Sequence, residues 1–169
     1  MEMTMNLPTP AVPDRSPRRP QPAGRLLMRL GEVYNAVVNQ GLLYAYQHLL
    51  LEGLDSEAAT LFLSLAGEKT EQARVLGRLI KSFGGDPALA LRLRTPRVDL
   101  SDDAACRALP LVRRLLRENM QAEAGLLTML ESASALTEPD SEAREVLRDL
   151  IGETQMQYRR LESLVDRME

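Results

Sequence analysis

From Asp55 to Ile80 the chain reads DSEAATLFLSLAGEKTEQARVLGRLI, and 85 residues later, from Asp140 to Val165, it reads DSEAREVLRDLIGETQMQYRRLESLV. The two stretches agree at 11 of 26 positions. A shared DSEA opening alone arises by chance. Gly67-Glu68 matched to Gly152-Glu153, and Gln72 to Gln157, lie several turns further on and point to a duplicated unit. Each copy opens on capping residues, Asp55 or Ser56 and Asp140 or Ser141. Apolar residues then recur every three or four positions, the period of an amphipathic helix.

Working outward, a helix from about Leu26 to Glu52 precedes the first copy and stops at Gly53. The first copy itself ends at Phe83, before Gly84-Gly85 and Pro87, a strong stop signal. A third helix begins between Asp103 and Pro110 and reaches about Leu136, and the fourth runs from Pro139 to the end. No stretch alternates with the two-residue period of a strand. The turns within each pair of helices are short, whereas residues 84–104 form a link long enough to cross a bundle. The expected fold is therefore all-α: two antiparallel helical hairpins, over residues 25–169, joined by a long crossover. Residues 1–24 hold six of the ten prolines and read as an extended, flexible tail. Its PRRP run at residues 17–20 has the form of a short docking peptide, but a solvated leader, or one packed loosely on its own domain, is the simpler reading.

Composition removes most other functions. One Cys and one His in 169 residues exclude a disulfide framework, a Cys-based zinc knuckle and any site needing two histidines. A formal net charge of −3, no Trp and few other aromatics argue against nucleic acid as a partner. No apolar run approaches the ~18 residues of a membrane span. The start lacks an apolar signal core, so the cytoplasm is the expected compartment. Cys106 lies near Asp102 and Asp103, whose charge disfavours a thiolate. Basic charge is 19 Arg against two Lys, which makes each lysine worth locating.

On the second helix the inner stripe runs Ala58, Phe62, Leu65, Lys69, Gln72, Leu76, Leu79 and Phe83. The third carries Val112, Leu116, Asn119, Glu123, Leu126, Leu130 and Ala133, and the fourth Leu147, Leu150, Thr154, Gln157, Leu161, Leu164 and Met168. Polar residues interrupt all three stripes about halfway along. The first helix offers Val38, Leu42, Ala45 and Leu49, with Gly41, Tyr44 and His48 beside them. It is apolar nearly all round, and its further line Leu43, Tyr46 and Leu50 is expected to form an interface, such as that of a homodimer.

The runs LLYAYQHLL, AGEKTEQARVLGRLIKSFGGDP, ENMQAEAGLLTML and IGETQMQYRRLESL resemble the rubrerythrin/ferritin-like family of four-helix bundles. The resemblance implies a di-metal layer made by one Glu on each of helices one and three and a Glu-x-x-His on helices two and four. Those six positions fall on Leu42, Glu123, Lys69 with Gln72, and Thr154 with Gln157. Only Glu123 keeps a ligand of the family's type. A leucine, an ammonium, a hydroxyl and two neutral amides do not replace three carboxylates and two imidazoles. Lys69 even carries its own positive charge, for which Glu123 is the expected partner. Glu68, Glu123 and Glu153 offer an alternative carboxylate set only if two helices rotate. His48 lies nearly two turns from the polar layer and is expected to pack rather than ligate.

The expected function is a non-catalytic bundle without a cofactor that acts by self-association or by pairing with a ferritin-like paralogue. The alternative is an iron- or manganese-binding oxidoreductase or iron-handling protein with rearranged ligands.

Overall fold

A computed structural model describes residues 22–90 and 104–168. They form α1 (Pro22–Leu51), α2 (Ser56–Ser82), α3 (Ala104–Ser134) and α4 (Glu142–Arg167), with no strand among the described residues. Of the expected tail, residues 1–21 lie outside the described residues, as does the middle of the crossover, 91–103. The first helix starts four residues earlier than expected, at Pro22, because proline's fixed φ and missing N–H suit a first helical position. The third helix starts within the expected range, at Ala104, so Pro110 falls inside it at the cost of one ladder hydrogen bond.

Local chemistry sets the other ends. Asp55 caps α2 by accepting from the Ala58 amide at 2.9 Å, and Ser141 caps α4 by accepting from Arg144 at 3.3 Å. The α2 terminus is a Schellman motif: Gly84 N–H donates to the Lys81 carbonyl at 2.9 Å and Gly85 N–H to that of Ile80 at 3.0 Å. Gly84 has φ +75°, a left-handed value that favours glycine. A Cβ on Gly85 would stand 2.8 Å from Leu27 Cδ2, so this turn sits directly on α1.

Two apolar clusters form the core, one on each side of mid-bundle. The first joins the early half of α1 (Leu26 to Val37), the end of α2 (Leu76 to Ile80), the end of α3 (Leu126 to Ala133) and the start of α4. The second joins the late half of α1, the start of α2, the start of α3 and the end of α4. So α2 and α3 end at the same end of the bundle, and the chain must travel its full length between them. The described start of that link runs along α1. Asn35 and Asn39, one turn apart on the outer face of α1, donate to the Ala88 and Ala90 carbonyls at 2.9 and 3.0 Å. This is the expected two-hairpin bundle with a long crossover.

The inner stripes of α2, α3 and α4 follow the expected lines, except that Phe83 is 39% exposed and Met168 is half-buried. The stripe of α1 does not. Its buried line is Leu26, Leu30, Val33, Val37, Gly41, Tyr44, Gln47 and Leu51, while Leu42 and Leu49 are 40% and 66% exposed. A helix apolar on nearly every face carries no phase information in its hydropathy, and a buried glutamine hides the true line further. Among the described residues no helix is long and apolar enough to cross a membrane.

Candidate functional site: a buried ammonium layer

Lys69 enters the bundle from α2 opposite Gly41 of α1, where an added Cβ would stand 3.0 Å from Lys69 Cβ. The absence of a side chain at position 41 gives the lysine stem its room. Its Nζ lies 2.7 Å from Glu123 Oε2, 2.6 Å from Gln157 Oε1 and 3.2 Å from Gln72 Oε1. An ammonium has three hydrogens, and here it has three oxygens to receive them. The ion pair is fully buried on both sides. Isolated, either charge would cost several kcal/mol; together they cancel inside one layer.

Every other hydrogen bond of Glu123 and the glutamines extends this layer. The Tyr44 hydroxyl donates to Glu123 Oε1 at 2.7 Å, so each carboxylate oxygen has one strong donor. Gln72 Nε2 donates to Glu153 Oε2 at 3.1 Å, and Gln157 Nε2 donates to Glu68 Oε2 at 3.0 Å. These two bonds join α2 to α4 and are the same bond written twice, since Gln72 and Glu68 shifted by 85 are Gln157 and Glu153. At the surface Glu68 Oε1 accepts from Arg160 at 2.5 Å and from Ser64 at 2.8 Å. Toward the second core cluster, Asn119 accepts from Gln40 and donates to Gln47, both at 2.7 Å, tying α1 to α3.

Electrostatics follow from this geometry. Burial lowers the Lys69 pKa, and the adjacent Glu123 charge only partly offsets it. Burial, then the Glu123 charge and hydrogen bond, hold the Tyr44 phenol well above its usual 10.0, so it stays a donor. Burial pushes Glu68 up, but the donors Arg160, Gln157 and Ser64 together outweigh it and hold its carboxyl below 4.5.

Of the expected layer positions, Lys69, Gln72, Glu123 and Gln157 converge on one point. Thr154 is buried beside them, yet its hydroxyl turns back to the Leu150 carbonyl of its own helix at 2.8 Å. Leu42 is not in the layer: the α1 position that faces it is Gly41, one residue earlier, and the shift is that of the misphased stripe. His48 packs at the hairpin end, with Nδ1 3.0 Å from the Ala59 carbonyl. Glu68, Glu123 and Glu153 are not drawn together; the outer two are held by the glutamines of the opposite helix. Among the described residues no group of three or more His, Cys, Asp or Glu is placed to hold a metal ion. The donor set also fails chemically, because its one converging anion is already neutralised by an ammonium at the centre. Cys106 lies in the first turn of α3, and its side chain is outside the described residues.

Sequence reasoning missed Tyr44 as a member of the layer, although its place three residues after Gly41 was visible, and missed the Gln40–Asn119–Gln47 row. It placed Leu43, Tyr46 and Leu50 on an interface; all three are half-buried within the single chain.

No family model matches this sequence, and no curated protein matches it. A crystal structure of Desulfovibrio desulfuricans bacterioferritin, which describes the diiron site of that protein in different catalytic states, is similar at a TM-score of 0.62. The two are 16% identical, and the match covers 89% of this chain and 84% of that one. With its four helices, crossover and mid-bundle polar layer, the chain has the ferritin-like four-helix fold.

Proposed function

We propose that this protein is a ferritin-like bundle that works by association with other protein, its di-metal layer having given way to one built around its own ammonium. The observation that carries the reading is Lys69 Nζ, seated among Glu123, Gln157 and Gln72 oxygens at 2.6–3.2 Å. Lys69-x-x-Gln72 and Thr154-x-x-Gln157 stand where bundles of this fold carry Glu-x-x-His, and Glu123 and Gly41 where they carry single glutamates. A positive charge at the centre repels a cation and leaves no open coordination position, so the bundle retains its shape and loses the chemistry.

Association is supported by the outward apolar surface. Leu42, Leu49 and Leu63 are 40%, 66% and 54% exposed, and Leu42 and Leu63 flank a groove of about 330 Å³ between α1 and α2 whose lining includes Gly41, Ala45, Ala66 and Gly67. The partner we assign is a second copy of this chain, with a ferritin-like paralogue as the other candidate. This strip lies beside the expected Leu43, Tyr46 and Leu50.

The experiment is metal loading of protein purified without chelator, with Fe(II) and with Mn(II), followed by metal analysis and oxygen uptake. The expected result is far less than one metal per chain and no oxygen uptake above background. Binding of about two irons per chain with oxygen consumption would favour the alternative, an iron-handling protein with rearranged ligands.

A further inference from the structure

We infer that the buried Lys69–Glu123 pair is a pairing key that makes the first hairpin close on the second, and keeps either hairpin from closing on a like copy. The duplicated sequence creates the problem that such a key solves. Both hairpins present an apolar stripe broken by a polar layer, and both core clusters draw on all four helices. Apolar burial alone therefore does not distinguish an unlike pair from a like one.

Nor do the two glutamine–glutamate bonds. Gln72–Glu153 and Gln157–Glu68 are equivalent under the 85-residue shift. Two copies of the first hairpin would form the same bonds between Gln72 of each and Glu68 of the other. The charged residues that break the equivalence are Lys69, whose counterpart is Thr154, and Glu123, which faces the layer where α1 has Gly41. The first hairpin thus brings the layer's ammonium and the second its carboxylate, and both side chains are fully buried. Pairing like with like would bury two ammoniums without an anion in one bundle and two carboxylates without a cation in the other. Burying unpaired charge is among the most costly changes a core accepts. Polar residues buried at one layer of a helical assembly fix its partners in this way elsewhere.

The test uses full-length chains. One carries Lys69→Glu, the second Glu123→Lys, and a third carries both substitutions. Each single variant buries like charges in its own bundle, and should refold alone with a melting midpoint lowered by about 10 °C or more. Refolded together in equal amounts, the single variants should recover cooperative melting as a species holding both chains one to one by native mass spectrometry. Its hairpins are exchanged, so that each bundle holds one opposite-charge pair. The chain with both substitutions should fold by itself with a midpoint well above that of either single variant. The inference is overturned if either single variant alone melts like wild type. It is equally overturned if the doubly substituted chain is no more stable than the single variants, or if co-refolding gives no one-to-one species that melts above them, since a mixed dimer through the outer face would hold both chains without that gain.

Discussion

Tyr44 donates its phenolic hydrogen to Glu123 Oε1 at 2.7 Å, on the opposite oxygen from the one that receives Lys69. The carboxylate is bonded from α1 and α2 at once, although it belongs to α3. Tyr44 also stacks obliquely on Phe62 with ring centroids 5.6 Å apart, so the donor is held in place by the apolar core beside it.

This contact makes Tyr44 a silent tyrosine. Its folded pKa is raised above 10.0, first by burial and then by Glu123, so the native state keeps the proton longer than the unfolded chain. The stability it contributes is present below the unfolded pKa and is lost as pH rises beyond it. In an ultraviolet pH titration, Tyr44→Phe should remove no phenolate signal below the pH at which the fold is lost. Loss of one tyrosine's signal near pH ~10 would contradict the contact. At neutral pH the same substitution should cost ~1.5–3 kcal/mol, since a buried carboxylate loses a donor.

Acid sensitivity should trace to Glu68. Its carboxyl is held below 4.5, burial being outweighed by the Arg160, Gln157 and Ser64 donors, so its contribution is present above that value and disappears as pH falls through the folded pKa. Glu68→Gln should therefore be less stable than wild type near neutral pH, with the gap narrowing in acid. Urea melts at about pH 7 and about pH 3 check this. A gap independent of pH would mean that the Glu68 charge takes no part.

The turn that launches the crossover should not tolerate a methyl group at Gly85. A Cβ there meets Leu27 Cδ2 at 2.8 Å and Ile80 Cγ2 at 2.9 Å, both within the packed end of the bundle. Gly85→Ala should cost ~1–3 kcal/mol in a denaturant melt, the scale of overpacking. No loss would show that the turn does not rest on α1.

If a second copy covers the outer face, Leu49→Glu should weaken association without unfolding the chain. Leu49 is 66% exposed, so the variant's own melt should shift by less than ~0.5 kcal/mol. Light scattering across a dilution series reads the association. An unchanged oligomeric state in Leu49→Glu and in Leu63→Glu would remove this strip as the interface.

Much of this architecture was legible in the sequence, for reasons that can be named. Stripes on α2, α3 and α4 carry polar residues on their outer faces, so hydropathy fixes their phase and brings Lys69, Gln72, Glu123 and Gln157 together. The α2 stop was legible because Gly84 and Gly85 meet the demands of a Schellman motif. On α1 the signal fails: Leu42 and Leu49 face out while Gln47 faces in, and the reading slipped by one residue, from Gly41 to Leu42. Contacts that depend on rotamers, such as Thr154 turning to Leu150 or Tyr44 reaching Glu123, leave no periodic trace. The crossed glutamine–glutamate bonds are different. The repeat announces their residues, but only a bundle in three dimensions brings Gln72 to Glu153.

The most direct measurement of the ammonium layer is a double-mutant cycle on Lys69 and Glu123 by denaturant unfolding. Lys69→Met alone strands a buried carboxylate and should cost ~3–5 kcal/mol, and Glu123→Leu alone strands a buried ammonium at a similar cost. Glu123→Gln should cost less than Glu123→Leu, because the amide still accepts a hydrogen bond from Lys69. With Lys69→Met and Glu123→Leu together, both charges leave at nearly constant volume, so the double variant should be more stable than either single variant, its remaining loss being that of the Tyr44 hydroxyl and glutamine oxygens left without their partners. Single variants that each lose little, with a double variant equal to their sum, would contradict a layer built on the Lys69 ammonium.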